Sequence, residues 1–189
     1  MYKFKNKYRI PSARAPFWDY ATEGAYYITM CTFHRKPIFG CIINNRVFLS
    51  PLGEIVQHEW NRSFEIRKEL FCDTFVIMPN HLHAILRIDH PAETHGREKS
   101  VVETHGRASL HHYNYGIAYR PCKSISSFVA GFKSSVTRKI NAFRQTPFEP
   151  VWQSRFHDHI IRDEEEYDRI QLYIVNNPAN WNIDEFSNP

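Results

Sequence analysis

The sequence predicts an α+β fold in which helices pack on a mostly antiparallel sheet. Short runs rich in aromatic and β-branched residues indicate strands, and three longer segments have apolar residues at helical spacing. The two kinds of segment alternate along the chain, in an order typical of a sheet with helices packed on it. With 189 residues, the chain is long enough for one domain and short for two, so we expect a single domain over 1–189.

The first strand is predicted over 25–33, where the sequence AYYITMCTF combines aromatic and β-branched residues. Asn44 and Asn45 interrupt the next apolar run, which indicates a small hairpin. Ser50 followed by Pro51 is typical of a helix start, and an apolar stripe at helical spacing follows them. We therefore expect a strand, a hairpin and a first helix.

Two further strands are predicted in the runs FCDTFVIM and HLHAILRI, since only Pro79 and Asn80 separate them and a tight hairpin is the simplest connection. Helical periodicity returns over 125–143, where one face is apolar and the other carries polar and basic residues. These patterns predict a hairpin followed by a second helix.

The run RFHDHII, at 155–161, predicts the last core strand. Asp163 and Glu166 have the spacing of a capping box for a helix that runs to about Asn177, where Pro178 ends it. The order strand, helix, strand, strand, helix, strand matches the split βαβ arrangement of a ferredoxin-like domain. The final helix is an addition to that arrangement.

Two regions are expected to lie outside this core. Residues 89–121 are polar and contain the sequence ETHGR twice, which is too little for a repeat architecture and favours a surface insertion. Residues 1–24 form a basic and aromatic arm, a mixture that suits phosphates and stacked bases, although a solvated tail is the more frequent explanation. The basic residues of the arm are Lys3, Lys5, Lys7, Arg9 and Arg14.

Composition limits the class of protein. The formal net charge of +4 is compatible with a polyanionic partner but is common among proteins with none. No run of apolar residues is long enough to span a membrane, and the first residues lack the apolar block of a secretory signal, so we expect a cytoplasmic protein. The four cysteines are widely separated, which favours reduced thiols.

His81 and His83 are the first candidates for chemistry. Side chains alternate along a strand, so the two imidazoles point to one face and Leu82 to the other, and they could bind one ion. An isolated His-x-His pair is more often a pair of ordinary strand residues with polar partners. The pair alone therefore does not decide between these interpretations.

The final helix supplies two further candidates. Tyr173 and Asn177 are four residues apart and share a face. With the two imidazoles, the Asn177 carboxamide would give a nitrogen and oxygen ligand set suited to Mg²⁺ or Mn²⁺, with the Tyr173 phenol beside the ion. Two alternatives remain open: Tyr173 could be a core aromatic, and Asn177 could merely end the helix.

Three segments carry a resemblance to a known family. They are FVIMPNHLHAILRI, the helix around FKSSVTRKIN, and VWQSRFHDHIIRDEEEYDRIQLYIVNNPANW. In order and spacing the chain resembles the single-tyrosine HUH transposases, especially the REP-associated tyrosine transposase branch. The likeness runs from YYITMCTFHRKPIFG to Trp181, with the insertion as the main departure.

The resemblance implies a metal-dependent enzyme that cleaves and rejoins single-stranded DNA at hairpin-type ends. It implies that His81 and His83 bind a divalent metal, Asn177 is the third ligand, and Tyr173 attacks DNA to form a 5′-phosphotyrosine link. Tyr167 is a competing nucleophile, but it lies ten residues before Asn177 and on a different part of the helix.

Further residues are candidates for DNA contact. Alternation places His157 and His159 on one face of a strand, although buried, hydrogen-bonded histidines are at least as common, and Lys133 and Arg155 could meet phosphates. Enzymes of the wider group commonly act as dimers, so a homodimer is left open. Two other functions also remain open: a domesticated DNA-binding module without turnover, and a metal nuclease that uses water as the nucleophile.

Overall fold

The structure is a computed structural model, and it describes residues 21–89 and 123–183. The predictions for the basic arm up to residue 20, and for nearly all of the insertion, lie outside the described residues. The strands are β1 (Gly24–Cys31), β2 (Gly40–Ile43), β3 (Arg46–Leu49), β4 (Leu70–Ile77), β5 (His81–Ile88) and β6 (His157–Ile161). The helices are α1 (Pro51–Ile66), α2 (Ile125–Arg144) and α3 (Glu164–Asn176), with single 3-10 turns at Phe33–Arg35 and Trp181–Ile183.

Four of the strands form one antiparallel sheet in the order β4-β5-β1-β6. This is the strand order of the split βαβ arrangement. Along the chain, β1 is the first strand of this sheet, and it pairs with β5, the third, and with β6, the last. The predicted α+β, ferredoxin-like fold is therefore confirmed. Strands β2 and β3 form the predicted separate hairpin, and Asn44 and Asn45 adopt the positive φ angles of 50° and 60° that its two-residue turn requires.

The helices cover the two faces of the sheet unequally. Helices α1 and α2 pack against one another and contribute, with alternate residues of β1 and β5, to one hydrophobic core cluster. Helix α3 contacts β4 and β5, but its one buried apolar residue, Ile174, is not part of that cluster. Because residues alternate along β5, Leu82 and Ala84 face the core, whereas His81 and His83 face α3.

Some predicted boundaries were wrong by two residues. Strand β1 ends at Cys31 because both the backbone N–H and the hydroxyl of Thr32 donate to the Asn80 carbonyl, which turns the chain toward the β4–β5 loop. Strand β6 begins at His157 rather than at residue 155, since the carbonyl of Arg155 accepts from a lysine of α2 instead of a neighbouring strand.

The predicted capping box of α3 is only half formed. The Asp163 carboxylate accepts from the Glu166 N–H as expected, but the Glu166 carboxylate accepts from the Arg162 N–H and pairs with His159. The reciprocal bond therefore reaches one residue further back than the spacing predicted. Among the described residues, no helix has the length and apolar character needed to cross a membrane.

Candidate metal and phosphoryl-transfer site

His81 and His83 are completely buried on the face of the sheet that α3 covers. Their ring centroids lie 4.5 Å apart, and both side chains have 0% exposure. Their register partners on β1 are Cys31 and Thr29. Because burying polar rings is costly unless they are hydrogen-bonded, their partners determine what the pair can do.

The partners of His81 indicate that its Nδ1 atom carries a proton. The Asn80 side-chain amide donates through its nitrogen to the Arg35 carbonyl, at 3.1 Å, which assigns its oxygen as an acceptor. That oxygen lies 2.8 Å from His81 Nδ1, so Nδ1 must carry the proton. A neutral His81 then has its lone pair on Nε2, the arrangement that outer-shell oxygens impose on metal-binding histidines.

His83 has a comparable arrangement built from β1. Its Nδ1 lies 2.8 Å from the Thr29 hydroxyl and 2.8 Å from the Tyr27 hydroxyl. The Thr29 hydroxyl donates to the Tyr27 oxygen at 3.1 Å, which leaves the Thr29 oxygen able to accept from Nδ1. Donation from Nδ1 to Thr29 gives the tautomer with the lone pair on Nε2, whereas donation from the Tyr27 hydroxyl to Nδ1 would give the other tautomer.

The electrostatic surroundings keep His83 neutral. Burial lowers its pKa well below the usual 6.5, and the proximity of His81 and His157 lowers that pKa further. The neutral imidazole is the form that binds a metal ion. At neutral pH, His83 is therefore in the protonation state that a ligand requires.

Tyr173 lies beside this imidazole and is accessible. Its hydroxyl is 3.4 Å from His83 Nε2, its ring packs edge-on against His83 at 5.3 Å between centroids, and 41% of the residue is exposed. It is therefore not a core aromatic. The Tyr167 hydroxyl instead donates to Asp73 at 3.1 Å, and burial together with Asp73 raises its pKa. Tyr167 is thus held in its phenol form on the β4 side of the helix.

Along the chain, Asn177 lies between two residues that contact the histidine pair. One turn before it, Tyr173 meets His83, and four residues after it, the Trp181 ring stacks near His81 with 6.1 Å between centroids. Asn177 is the C-cap of α3 and has 0% exposure. Asn177 is therefore both the end of the helix and a buried carboxamide.

The candidate donors at this site are two imidazoles and one carboxamide, all of them buried. Within 21–89 and 123–183, no cluster of three or more His, Cys, Asp or Glu side chains could hold a metal ion, and Asn177 is of none of these residue types. Two imidazole nitrogens plus one amide oxygen make a mixed set that leaves positions open for phosphate oxygens.

The remaining predicted DNA contacts differ in their surroundings. His157 is exposed and lies edge-on to Tyr27, with 6.0 Å between ring centroids, so it borders the site. His159 is paired with Glu166 at 2.8 Å. The Lys133 ammonium donates to the carbonyls of Gln153 and Arg155, and burial lowers its pKa to about 8, so it is partly committed to the protein. Arg155 is exposed, whereas Lys3, Lys5, Lys7, Arg9 and Arg14 lie outside the described residues.

The residues that orient the imidazoles were missed by sequence reasoning. Tyr27 and Thr29 lie on one face of β1, and Asn80 precedes β5, and although all three lie in segments that carry the resemblance, their spacing gave them no role. A usable signal exists, because an antiparallel pairing of β1 with β5 places alternate β1 residues opposite the histidines. The register was needed to identify which ones.

Known proteins give both a structural and a sequence match. No family model matches the chain. A solved structure of a REP-associated tyrosine transposase bound to a REP hairpin superposes over 88% of this chain and 74% of its own, with a TM-score of 0.56 and 16% identity. At that identity the likeness shows a shared fold. An uncharacterized protein of Haemophilus influenzae (strain Rd) is 34% identical over 178 residues, which cover 92% of this chain and 91% of the relative. The chain belongs to the same protein family as this Haemophilus influenzae protein.

Proposed function

We propose that the protein is a transposase-type strand transferase that cleaves and rejoins single-stranded DNA at hairpin-type ends. Tyr173 is the nucleophile, and His81, His83 and Asn177 hold Mg²⁺ or Mn²⁺. The observation that supports this best is the 3.4 Å approach of an accessible tyrosine hydroxyl to the Nε2 atom of a buried, oriented histidine. The fold shared with a transposase that binds a DNA hairpin agrees with it.

The proposed reaction is a phosphoryl transfer. The Tyr173 oxygen forms a bond to phosphorus and loses its proton, while the bond from phosphorus to the 3′ oxygen breaks and that oxygen takes up a proton. The products are a 5′-phosphotyrosine link and a free 3′ hydroxyl. Because a phosphodiester is exchanged for a phosphodiester, the reverse attack by a 3′ hydroxyl rejoins DNA without a nucleotide cofactor.

Each residue of the site has a distinct part in this proposal. A bound divalent cation would polarise the scissile phosphate and stabilise the departing oxygen. Asn80 and Thr29 keep the two imidazoles in the ligating tautomer. The partial exposure of Tyr173 leaves room for DNA beside it.

The test is a covalent adduct assay. Protein, Mn²⁺ and a 3′-end-labelled single-stranded hairpin DNA with flanking sequence are incubated and separated on a denaturing gel. We expect a labelled protein band that is lost in Tyr173→Phe and His81→Ala. Tyr167→Phe is the matched control and keeps the band, since that hydroxyl is bonded to Asp73.

Other outcomes would support other functions. Cleavage without a protein band, retained in Tyr173→Phe, would indicate a metal nuclease that uses water. Binding of the hairpin with neither cleavage nor a band would indicate a DNA-binding module without turnover. A band that persists in His81→Ala without metal would contradict the assignment of the ligands.

A further inference from the structure

A cavity separate from the histidine site lies between the carboxyl-terminal half of α2 and the loop that follows it. It has a volume of about 840 Å³, within the range of pockets that hold small molecules. Its lining includes Lys133, Arg138, Asn141, Phe148 and Trp152. We call it the α2 pocket.

Phe148 is an unusual residue for the rim of this pocket. It is 98% exposed, so it contributes almost no buried area to the fold. Its φ angle is +67°, a region that bulky side chains rarely occupy. An aromatic side chain held in a costly conformation and fully presented to solvent gives nothing to the free protein, which points to a bound partner.

The charge of the pocket indicates the kind of partner. Its lining contains two basic side chains, Lys133 and Arg138, and no acidic side chain. Arg138 is exposed and forms no ion pair with the described residues. Exposed aromatic rings beside unpaired cations are what proteins use to stack bases and bind phosphates of single-stranded DNA.

Two polar atoms in the wall also lack partners. Asn141 Oδ1 and Trp152 Nε1 are buried and form no hydrogen bond with any of the described residues. One is an acceptor and the other a donor, and buried groups of this kind are normally paired. The edge of a nucleobase offers both donors and acceptors, so a small adjustment of the wall would satisfy them.

The pocket is also connected to the end of the sheet where the histidines begin. The carbonyl of Val151 accepts from Phe33, and the N–H of Gln153 donates to Cys31 at the end of β1. Cys31 is the register partner of His81. The loop that lines the pocket is therefore bonded to the end of β1 whose register partner is His81.

We propose that the α2 pocket binds an unpaired nucleobase of single-stranded DNA, with the Phe148 ring stacked on the base and Arg138 on a neighbouring phosphate. This inference rests on the proposed function for the identity of the polymer, and it adds the place where unpaired sequence beside a hairpin is held.

The test measures binding and contact directly, in the Tyr173→Phe background so that the DNA is not consumed. One probe is a hairpin with randomised single-stranded flanks, in which iododeoxyuridine replaces thymidine, and the other is the same hairpin with blunt ends. We expect Phe148→Ala to weaken binding of the flanked hairpin about tenfold and leave binding of the blunt hairpin unchanged. Phe148→Tyr, which keeps the aromatic face, is the matched control and binds as the parent does.

Photocrosslinking supplies the second readout. Light should couple the flanked probe to the peptide that contains Phe148, as mapped by mass spectrometry. Arg138→Ala should reduce the affinity for the flanked probe. It should also reduce the slope of log affinity against log salt concentration by about one, whereas Arg138→Lys should preserve both the affinity and the slope.

Two results would overturn the proposal: unchanged affinity of Phe148→Ala for the flanked probe, or crosslinks that map only to other peptides. Loss of self-association in Phe148→Ala, with DNA binding intact, would assign the pocket to a second copy of the chain. The adduct assay tests the proposed function independently of the pocket. A normal adduct with unchanged binding by Phe148→Ala would contradict only the pocket, and weakened binding by Phe148→Ala without an adduct in the parent would contradict only the proposed chemistry.

Discussion

The two faces of the four-stranded sheet carry different side chains, since one face is apolar and the other is polar. On the face covered by α1 and α2, alternate residues of β1 and β5 are apolar and join one continuous core. On the face covered by α3, the same strands present Thr29, His81 and His83, each buried to 96% or more, against a helix that contributes the buried Asn177. Both faces are made by the same strands, and the two environments differ because successive side chains along a strand point to opposite faces.

The difference shows which face maintains the fold and which is available for chemistry. Burial of apolar area contributes about 25 cal/mol for each Å² removed from water, whereas a buried polar group contributes nothing until its hydrogen bonds are made. The α3 face therefore holds its imidazoles at an energetic cost, which the apolar face offsets. Substitutions on the two faces should separate stability from activity.

The largest expected effect on stability is at Trp60, on the apolar face. Its ring is 1% exposed and packs against Phe64, Phe75, Phe128 and Phe132. Trp60→Ala removes the centre of this aromatic cluster and should lower the free energy of unfolding by about 4 kcal/mol. Urea denaturation monitored by circular dichroism measures the change.

The matched control is Leu172→Ala, on the exposed side of α3. Because that side chain is mostly in water, its removal should change the free energy of unfolding by less than about 0.5 kcal/mol. Equal effects of the two substitutions would mean that the stability of the fold does not come from the apolar face.

Glu59 is the exception on the apolar side, since it is a carboxylate buried between α1 and α2. Lys139 and Ser135 of α2 donate to it, and it is 4% exposed. Burial alone would raise the pKa of this carboxyl, but the hydrogen bonds from Lys139, Ser135 and His58 lower it to about 2. The charged group therefore stabilises the contact between the two helices.

The sign of the pH dependence follows from that lowered pKa. A carboxyl with a pKa near 2 when folded and 4.5 ordinarily contributes stability that is present above about pH 4.5 and is lost as the pH falls toward 2. Glu59→Gln should lower the free energy of unfolding by about 2 kcal/mol at pH 7, and the difference from the parent should shrink below pH 4.5. Urea titrations across this range measure it, with Glu65→Gln, at an exposed position of the same helix, as the control that changes stability little at pH 7.

The apolar face could be predicted from the sequence, because its pattern is repeated many times. The α2 stripe needed only helical spacing, and the structure buries most of it, although Phe143 near the end of the helix is 60% exposed. The strand order in the sheet could be predicted from the order of strands and helices along the chain, because the rules for short, uncrossed connections allow few arrangements of the strands. Repetition makes such patterns robust to single exceptions.

The polar face could be predicted only in part, because it depends on pairing between distant segments. The positions of His81, His83, Tyr173 and Asn177 could be identified by their spacing and by resemblance, and the structure brings the tyrosine hydroxyl to 3.4 Å from His83 Nε2. The orienting role of Thr29 could not, since it depends on the register of β1 against β5, and a shift by one residue would turn that side chain to the other face.

The smallest expected effect tests this orienting role. Thr29→Val keeps the shape of the side chain but removes the hydroxyl that lies 2.8 Å from His83 Nδ1. Without that acceptor, the tautomer with its lone pair on Nε2 loses part of its support, although the Tyr27 hydroxyl remains. We expect the affinity for Mn²⁺, measured by titration calorimetry on the full chain, to fall about tenfold.

Thr29→Ser is the matched control, because it restores the hydroxyl in a smaller side chain and should bind Mn²⁺ nearly as the parent does. The melting temperature separates this effect from a general loss of packing: Thr29→Ser removes a buried methyl group and should be the less stable of the two variants, while Thr29→Val should be the weaker in metal binding. If both variants bound Mn²⁺ equally, the hydroxyl of Thr29 would have no part in orienting His83, and its burial on the polar face would be a matter of packing alone.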